Sequence, residues 1–507
     1  MNHKRLAVNI VATFVSFAVS FGISFFLSPY IIEHVGTAAY GFVYLANNFV
    51  SYASLLTIAL NSMSSRFITI AVHRKDMAGA NAYFNSVLIS NCCMTAALIL
   101  PAIFGVLFLE HLIQIPAELM LDVKILFAVI FFNFMITLIS TTFSVATFAK
   151  NRLDLESKRS IEANLLRLAV ILILFLLFEP HVAYVGIASM AMALYILFTN
   201  IRLKRRLLPE LQFEPAAFDW HKVREVAVSG IWNTVTRMGQ LLLEGLDLLI
   251  TNLFISPFMM GVLAAAKTVP NLVTNLVGTM VGVFVPNFTM EYAKGDIKSL
   301  LASVKQSMKI MGILVNLPIA GLIVFGDRFY HLWMPGQDAR QLQILSVLSI
   351  AGFIISGGIN CIFNIFTVTN KLKLNSILLI IIGALNAVIV VVLLKTTSLG
   401  VYAVAGVSTV INTLKNLIFV VPYGARCLGL KWYTFYGEVG KSVVSTLILC
   451  AIGFVVRLAL PSGTWLMLLV SGGTMAVLGL CANLFLMLRR EERKSLLQII
   501  RRKKGEE

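Results

Sequence analysis

Predominantly apolar stretches alternate with short polar connections along the whole of this chain. They fall near 7–29, 41–64, 84–109, 122–148, 161–178, 182–201, 227–255, 259–285, 307–326, 342–367, 374–394, 400–421, 441–460 and 465–488. A helix of roughly 20 residues crosses the hydrocarbon of a bilayer. The pattern therefore predicts an all-α integral membrane protein with about 14 transmembrane helices.

The seventh stretch breaks the apolar pattern. Asn233, Arg237, Gln240, Glu244, Asp247 and Thr251 interrupt it, and on a regular helix they share an arc of roughly 80°. The opposite face suits lipid. Each charge at mid-membrane costs on the order of 2.5–3.5 kcal/mol unless it meets protein or water. The stripe is therefore expected to line the interior of the bundle, which makes it the first place to look for function.

The sequence also repeats itself. A shift of 220 residues carries Gly41 onto Gly261, Thr69 onto Thr289 and Asp76 onto Asp296. At a shift of 219, Asn151-Arg152-Leu153-Asp154-Leu155 matches Asn370-Lys371-Leu372-Lys373-Leu374. Val185-Gly186-Ile187-Ala188 matches Ala405-Gly406-Val407-Ser408. The expected layout is two six-helix lobes, residues 1–201 and 227–425, in the same orientation and related by a pseudo-two-fold axis along the membrane normal. The substrate path would lie between them. Residues 202–226 read as a cytoplasmic linker, 426–488 as two further helices outside the repeat, and 489–507 as a basic cytoplasmic tail. The shift sets Thr13, Ser20 and Ser24 opposite Asn233, Gln240 and Glu244. With Asn9 and Ser16 the first group forms a hydroxyl-rich stripe. Asn47 and Ser51 correspond to Lys267 and Asn271, so one polar wall is uncharged and the other charged.

Composition agrees with a polytopic membrane protein, being 58% hydrophobic and only 13% charged. A net charge of +17 would admit nucleic acid as a partner, but the basic residues sit almost entirely in alternate connections. One side holds Lys4, Arg5, Arg74, Lys75, Lys150, Arg152, Lys158, Arg159, Arg202, Lys204, Arg205, Arg206, Lys294, Lys298, Lys371, Lys373, Arg426, Lys431 and the tail. The other holds Lys124, Arg328, Arg340, Lys395 and Arg457. Under the positive-inside rule both termini are cytoplasmic, and the basic excess is topology rather than a nucleic-acid footprint. The six cysteines lie in or beside apolar spans without extracellular pairing, and the seven histidines lack metal spacing. There is no Walker A loop and no large outer loop to house a membrane enzyme's catalytic groups. No enzyme, metal or cofactor is expected.

Arg237, Lys267 and Lys415 are the deep cations, with Arg66 and Arg167 placed near cytoplasmic helix ends and read mainly as snorkelling side chains. Asn9, Asn47, Gln240 and Asn271 can supply hydrogen bonds. Glu244 and Asp247 are the candidates for coupling to a proton or sodium ion, with a fixed Asp247–Lys267 pair as the plainer alternative for Asp247. Pro270 should kink the eighth helix, and Gly278 and Gly282 form a GxxxG pair suited to close packing.

At these residues the chain resembles the polysaccharide transporters, the oligosaccharide flippases of the multidrug, oligosaccharidyl-lipid and polysaccharide (MOP) exporter superfamily. The resemblance rests on Asn9, Ser28-Pro29-Tyr30, the Gly36 to Gly41 turn, Arg66, and Asp247 with Lys267, within a duplicated fourteen-helix layout. It implies alternating access and a central cationic cavity that flips an undecaprenyl-pyrophosphate-linked oligosaccharide across a bacterial cytoplasmic membrane. The implied partners are that lipid, the surrounding membrane lipids, and a polysaccharide polymerase with its assembly proteins. Three alternatives stand beside it. A multidrug antiporter would favour acids over cations in its cavity, a lipid II flippase would differ in cargo, and a non-transporting scaffold would not need a buried charged stripe.

Overall fold

A computed structural model describes the backbone of residues 3–369, 371–460 and 463–487. The basic tail 489–507 lies outside the described residues. The helices are α1 His3–Val35, α2 Thr37–His73, α3 Met77–Leu107, α4 Met120–Phe143, α5 Leu153–Leu177 and α6 Ala183–Leu207. The seventh, α7, runs Trp220–Gln240, then a π turn Leu241–Gly245, then Asp247–Phe254. There follow α8 Pro257–Ala293, α9 Ile297–Trp333, α10 in two pieces (Ala339–Ile350 and Phe353–Val368) and α11 Leu372–Thr396. Helix α12 runs Val401–Lys415, a π turn Asn416–Val420 and Val421–Cys427, and α13 Tyr436–Ala459 and α14 Trp465–Met487 complete the set. No strand occurs among the described residues.

Among the described residues thirteen spans are long and apolar enough to cross a membrane, and α7 makes the fourteenth. It falls short of that apolar test for the reason that singled it out in the sequence, since polar and charged residues interrupt it throughout.

The repeat reappears in the helix boundaries. Adding 220 to the ends of α2, Thr37 and His73, gives Pro257 and Ala293, the ends of α8. Adding 219 to the ends of α5 gives those of α11. The same local chemistry starts α3 and α9. Asp76 and Asp296 are N-caps with φ −84° in both copies, each accepting a hydrogen bond from the backbone N–H three residues on. The residue before each cap takes a left-handed backbone, Lys75 at φ 60° and Gly295 at φ 73°. Glycine pays no Cβ penalty there and lysine does.

Contacts divide the chain into two compact units. The first comprises Met1–Ala265 with Leu379–Gly383. Its centre is α2, which packs on α3, α4 and α7, while α4 packs on α6 and α5 on both α1 and α6. Glycine lets α7 approach closely: a Cβ on Gly230 would lie 1.9 Å from the carbonyl oxygen of Ala59 on α2. The repeat-related pair Gly41 and Gly261 also meets directly, a Cβ on Gly41 falling 2.8 Å from the Gly261 Cα.

A fully buried amide joins three helices of this unit. Asn91 on α3 donates to Asn61 Oδ1 on α2 (2.9 Å) and to Thr142 Oγ1 on α4 (3.0 Å), and Asn61 donates back at 3.1 Å. Asn91→Leu removes the partner of buried Thr142 and of half-buried Asn61. The substitution is expected to cost roughly 1–3 kcal/mol, seen as a lower thermal midpoint of the purified protein in detergent.

The second unit comprises Ala266–Leu378 and Ala384–Glu507. Helix α9 is its most enclosed span and packs on α10, α13 and α14. Buried Asn316 on α9 donates to Ser442 O (2.9 Å) and Oγ (3.0 Å) on α13. Ser445 on α13 donates to Asn483 on α14 at 2.5 Å, which fixes the last two helices to the unit.

Candidate functional site

In the first unit the candidate site is built on α7. Arg237, Gln240 and Glu244 are all exposed, with Arg237 Nη1 donating to Gln240 Oε1 at 3.4 Å. One residue of this ridge is cationic, one neutral and one acidic. Asn233, a turn earlier, is half-buried and donates to Ser62 Oγ on α2 at 3.1 Å.

The stripe does not continue as the regular helical period requires. The π turn at Leu241–Gly245 contains Glu244, and its extra residue rotates the next helical segment by roughly a quarter turn. Asp247 therefore turns into the packed side, 3% exposed, and Thr251 beyond it is fully buried with its hydroxyl on the Asp247 carbonyl at 2.8 Å. Carbonyl groups that such a turn takes out of the regular helical ladder need other donors. Here the Gly245 carbonyl accepts from Tyr52 Oη at 2.6 Å and from Asn48 Nδ2 at 3.2 Å, both on α2. The distal end of α7 is clipped as well. Buried Asn252 accepts from the Gln114 N–H at 2.8 Å and donates to its carbonyl at 3.0 Å.

On the neighbouring helices, Asn47 and Arg66 of α2 are exposed, and Asn47 bonds its own helix at Val43 O (2.7 Å). Asn9 lies on α1, but its side chain is outside the described residues. Part of the hydroxyl stripe on α1 is a seam with α5: Asn164 donates to Ser20 at 3.1 Å, and Thr13 and Ser157 hydroxyls lie 3.5 Å apart.

Arg167 lies farther from the end of its helix than its sequence position indicates. Helix α5 begins at Leu153, so Arg167 sits 14 residues along it and 10 from its far end at Leu177. It is half-buried, its Nε has no hydrogen-bond partner, and Tyr40 and Tyr44 of α2 are its electrostatic neighbours. The guanidinium thus stands in mid-helix beside two phenols rather than in the terminal turn of α5. The signal that reveals it is the charged but helical stretch Asp154 to Arg159, which lengthens α5 toward its start.

In the second unit Lys267 is half-buried and Asn271 exposed, one turn apart on α8. Lys415 is 7% exposed, at the last residue before the π turn of α12, with its ammonium 5.5 Å from the Phe363 ring centroid. Adjacent Asn416 is buried and its Oδ1 has no hydrogen-bond partner. Each unit thus places a charged residue in or beside a π turn, a helix irregularity common at functional sites. Pro270 lies within α8, which is helical throughout Pro257–Ala293. The GxxxG glycines form no close contact among the described residues, where a Cβ on Gly278 or Gly282 would meet nothing within 4 Å.

A family model described as polysaccharide biosynthesis protein matches residues 6–291. The chain is 28% identical over 505 residues, 99% of each chain, to the uncharacterized membrane protein EpsK of Bacillus subtilis. Its fold is similar to that of the lipid II flippase MurJ in an inward closed conformation, with TM-score 0.64 and 12% identity over 95% of this chain and 100% of that one. It is also similar to an inward-facing multidrug resistance MATE family transporter of the MOP superfamily, with TM-score 0.62 and 14% identity over 84% of this chain and 97% of that one. At such identities the structural likeness bears on the fold alone, which is the fold expected from the duplicated spans. With its model spanning more than half of the sequence, the family is settled: this multi-pass membrane chain belongs to the polysaccharide biosynthesis protein family.

Proposed function

We propose that the protein flips an undecaprenyl-pyrophosphate-linked oligosaccharide across the bacterial cytoplasmic membrane, by alternating access of two six-helix lobes driven by a proton or sodium gradient. The observation that carries this reading is the open Arg237–Gln240–Glu244 ridge on a helix otherwise made to span lipid. An anionic pyrophosphate bearing sugars needs cations and hydrogen-bond donors shielded from hydrocarbon. Arg237, Lys267 and Lys415 supply the charge, with Arg66 at the rim. Asn9, Asn47, Gln240 and Asn271 supply hydrogen bonds, and Glu244 and Asp247 carry the coupling ion. A polymerase and its assembly proteins receive the flipped unit on the far face, and both termini stay in the cytoplasm.

The test is leaflet exposure of a labelled undecaprenyl-pyrophosphate oligosaccharide in proteoliposomes, with and without an ion gradient. The wild type is expected to expose it in a gradient-dependent manner, and Arg237→Ala to lose roughly tenfold or more of that rate, about 1.4 kcal/mol in the barrier. No exposure under any gradient by folded protein would overturn the reading in favour of a drug antiporter or a scaffold.

A further inference from the structure

A cleft of about 390 Å³ opens between the start of α11 and the end of α12, both in the second unit. Its two charged groups are the exposed side chains of Lys371 and Arg426, and no carboxylate is among the described residues that line it. Leu374 and Ile418 form its apolar side and are 49% and 72% exposed, as surfaces made for lipid are. Tyr423 ties the wall together. Its ring stacks on Phe419 at 5.0 Å, and its hydroxyl donates to the Lys371 carbonyl at 3.1 Å. The Lys371 ammonium reaches the Cys427 carbonyl at 3.4 Å, which holds it over the cleft.

Two cations with no counter-charge among the described lining residues, in one cleft with exposed aliphatic side chains, match a molecule with an anionic head and an apolar tail. A larger cavity of about 530 Å³ beside Arg328 and Arg457 does not offer the same charge. There Asp327 pairs with Arg457 through two hydrogen bonds of 2.9 and 2.7 Å. Lys371 and Arg426 also belong to the basic connections, so the positive-inside pattern sets the cleft at the cytoplasmic leaflet, where anionic lipids concentrate. We propose that it is a binding site for a phospholipid with an anionic headgroup, the phosphate between Lys371 and Arg426 and an acyl chain along Leu374 and Ile418. This lipid is a resident of the leaflet, and the site is separate from the residues assigned to transport.

Native mass spectrometry of the full chain in detergent tests the assignment, with added dioleoyl phosphatidylglycerol, dioleoyl phosphatidylcholine, or free glycerol phosphate. The wild type should retain one phosphatidylglycerol roughly tenfold or more in preference to phosphatidylcholine, and free glycerol phosphate should not displace it. The double variant Lys371→Gln/Arg426→Gln should fall to the phosphatidylcholine level, while Lys294→Gln/Lys298→Gln on another basic connection should not change. Either single substitution should give a loss of a few fold, which keeps the test open if the double variant folds poorly. Retention of phosphatidylglycerol by the double variant overturns the proposal. So does equal retention of both lipids by the wild type, equal loss in the control pair, or displacement by glycerol phosphate.

Discussion

Gly261→Val is expected to leave almost no folded protein in the membrane. A Cβ at this position would lie 2.0 Å from the Thr37 carbonyl oxygen and 2.6 Å from its carbonyl carbon. Both are backbone atoms, which cannot swing aside as the end of a side chain can. Overpacking costs roughly 1–3 kcal/mol when neighbours yield, and more when they do not. Here α2 and α8 would have to separate at the point where Gly41 and Gly261 touch, so the loss falls at or beyond the upper end of that range. A domain's whole stability is only about 5–15 kcal/mol. Fluorescence-detected size exclusion of a tagged full chain reads the outcome, with Gly278→Val on the same helix as comparator because its site is open. Matching monodisperse peaks for the two variants would mean that the glycine contact is not what brings these helices together.

The second large effect is expected for Asp247→Asn. If transport is ion-coupled as proposed, this substitution should slow gradient-driven translocation by roughly tenfold or more, about 1.4 kcal/mol, and leave the residual rate indifferent to the gradient. A carboxylate within a membrane helix is a group that can bind and release a proton or a cation during a transport cycle. Asp247 is 3% exposed and opens the helix that resumes after the π turn. Asparagine keeps its shape and cannot take up or release the charge. Glu244→Gln, on an exposed side chain within the turn, should have the smaller effect. Gradient-dependent translocation that survives in Asp247→Asn would move the coupling to Glu244, and its survival in both would leave Asp247 a packing residue.

The spans and the duplication were legible because each rests on a signal that every residue contributes to, namely apolar length and a fixed offset. Gly41 and Gly261 illustrate this: matched by the offset in sequence, they meet in the fold. The π turns left no such signal. Nothing in Leu241-Leu242-Leu243-Glu244-Gly245 marks an extra residue per turn, so a constant helical period carried Asp247 onto the same face as Arg237, and the structure turns it away. The mid-helix position of Arg167 was lost for a different reason. The first turns of α5 carry Asp154, Glu156, Lys158 and Arg159, and charge density of that kind reads as a loop. The structure shows them helical, with ion pairs one turn apart, Arg159 with Glu156 at 3.5 Å and Lys158 with Glu162 at 3.8 Å, and with Arg159 also donating to Asn200 of α6. The GxxxG pair shows the converse, a motif present without, among the described residues, the contact it is usually made for.

Helices α2, α8 and α9 are each 37 residues long, which at 1.5 Å per residue is about 55 Å. Tilted by as much as 40°, each still measures roughly 42 Å along the membrane normal, against about 30 Å of hydrocarbon. Some 12 Å of every one therefore stands clear of the acyl chains, and in the second unit the polar turn around Asp296 that joins α8 to α9 suits that overhang. Out there lipid contributes nothing, and the rim is stitched as a water-soluble protein would be: Glu291 accepts hydrogen bonds from Ser299 at 3.1 Å and Ser303 at 2.7 Å. A detergent belt or nanodisc sized to the hydrocarbon leaves this rim bare. It is a natural handle for a nanobody or a rigid fiducial.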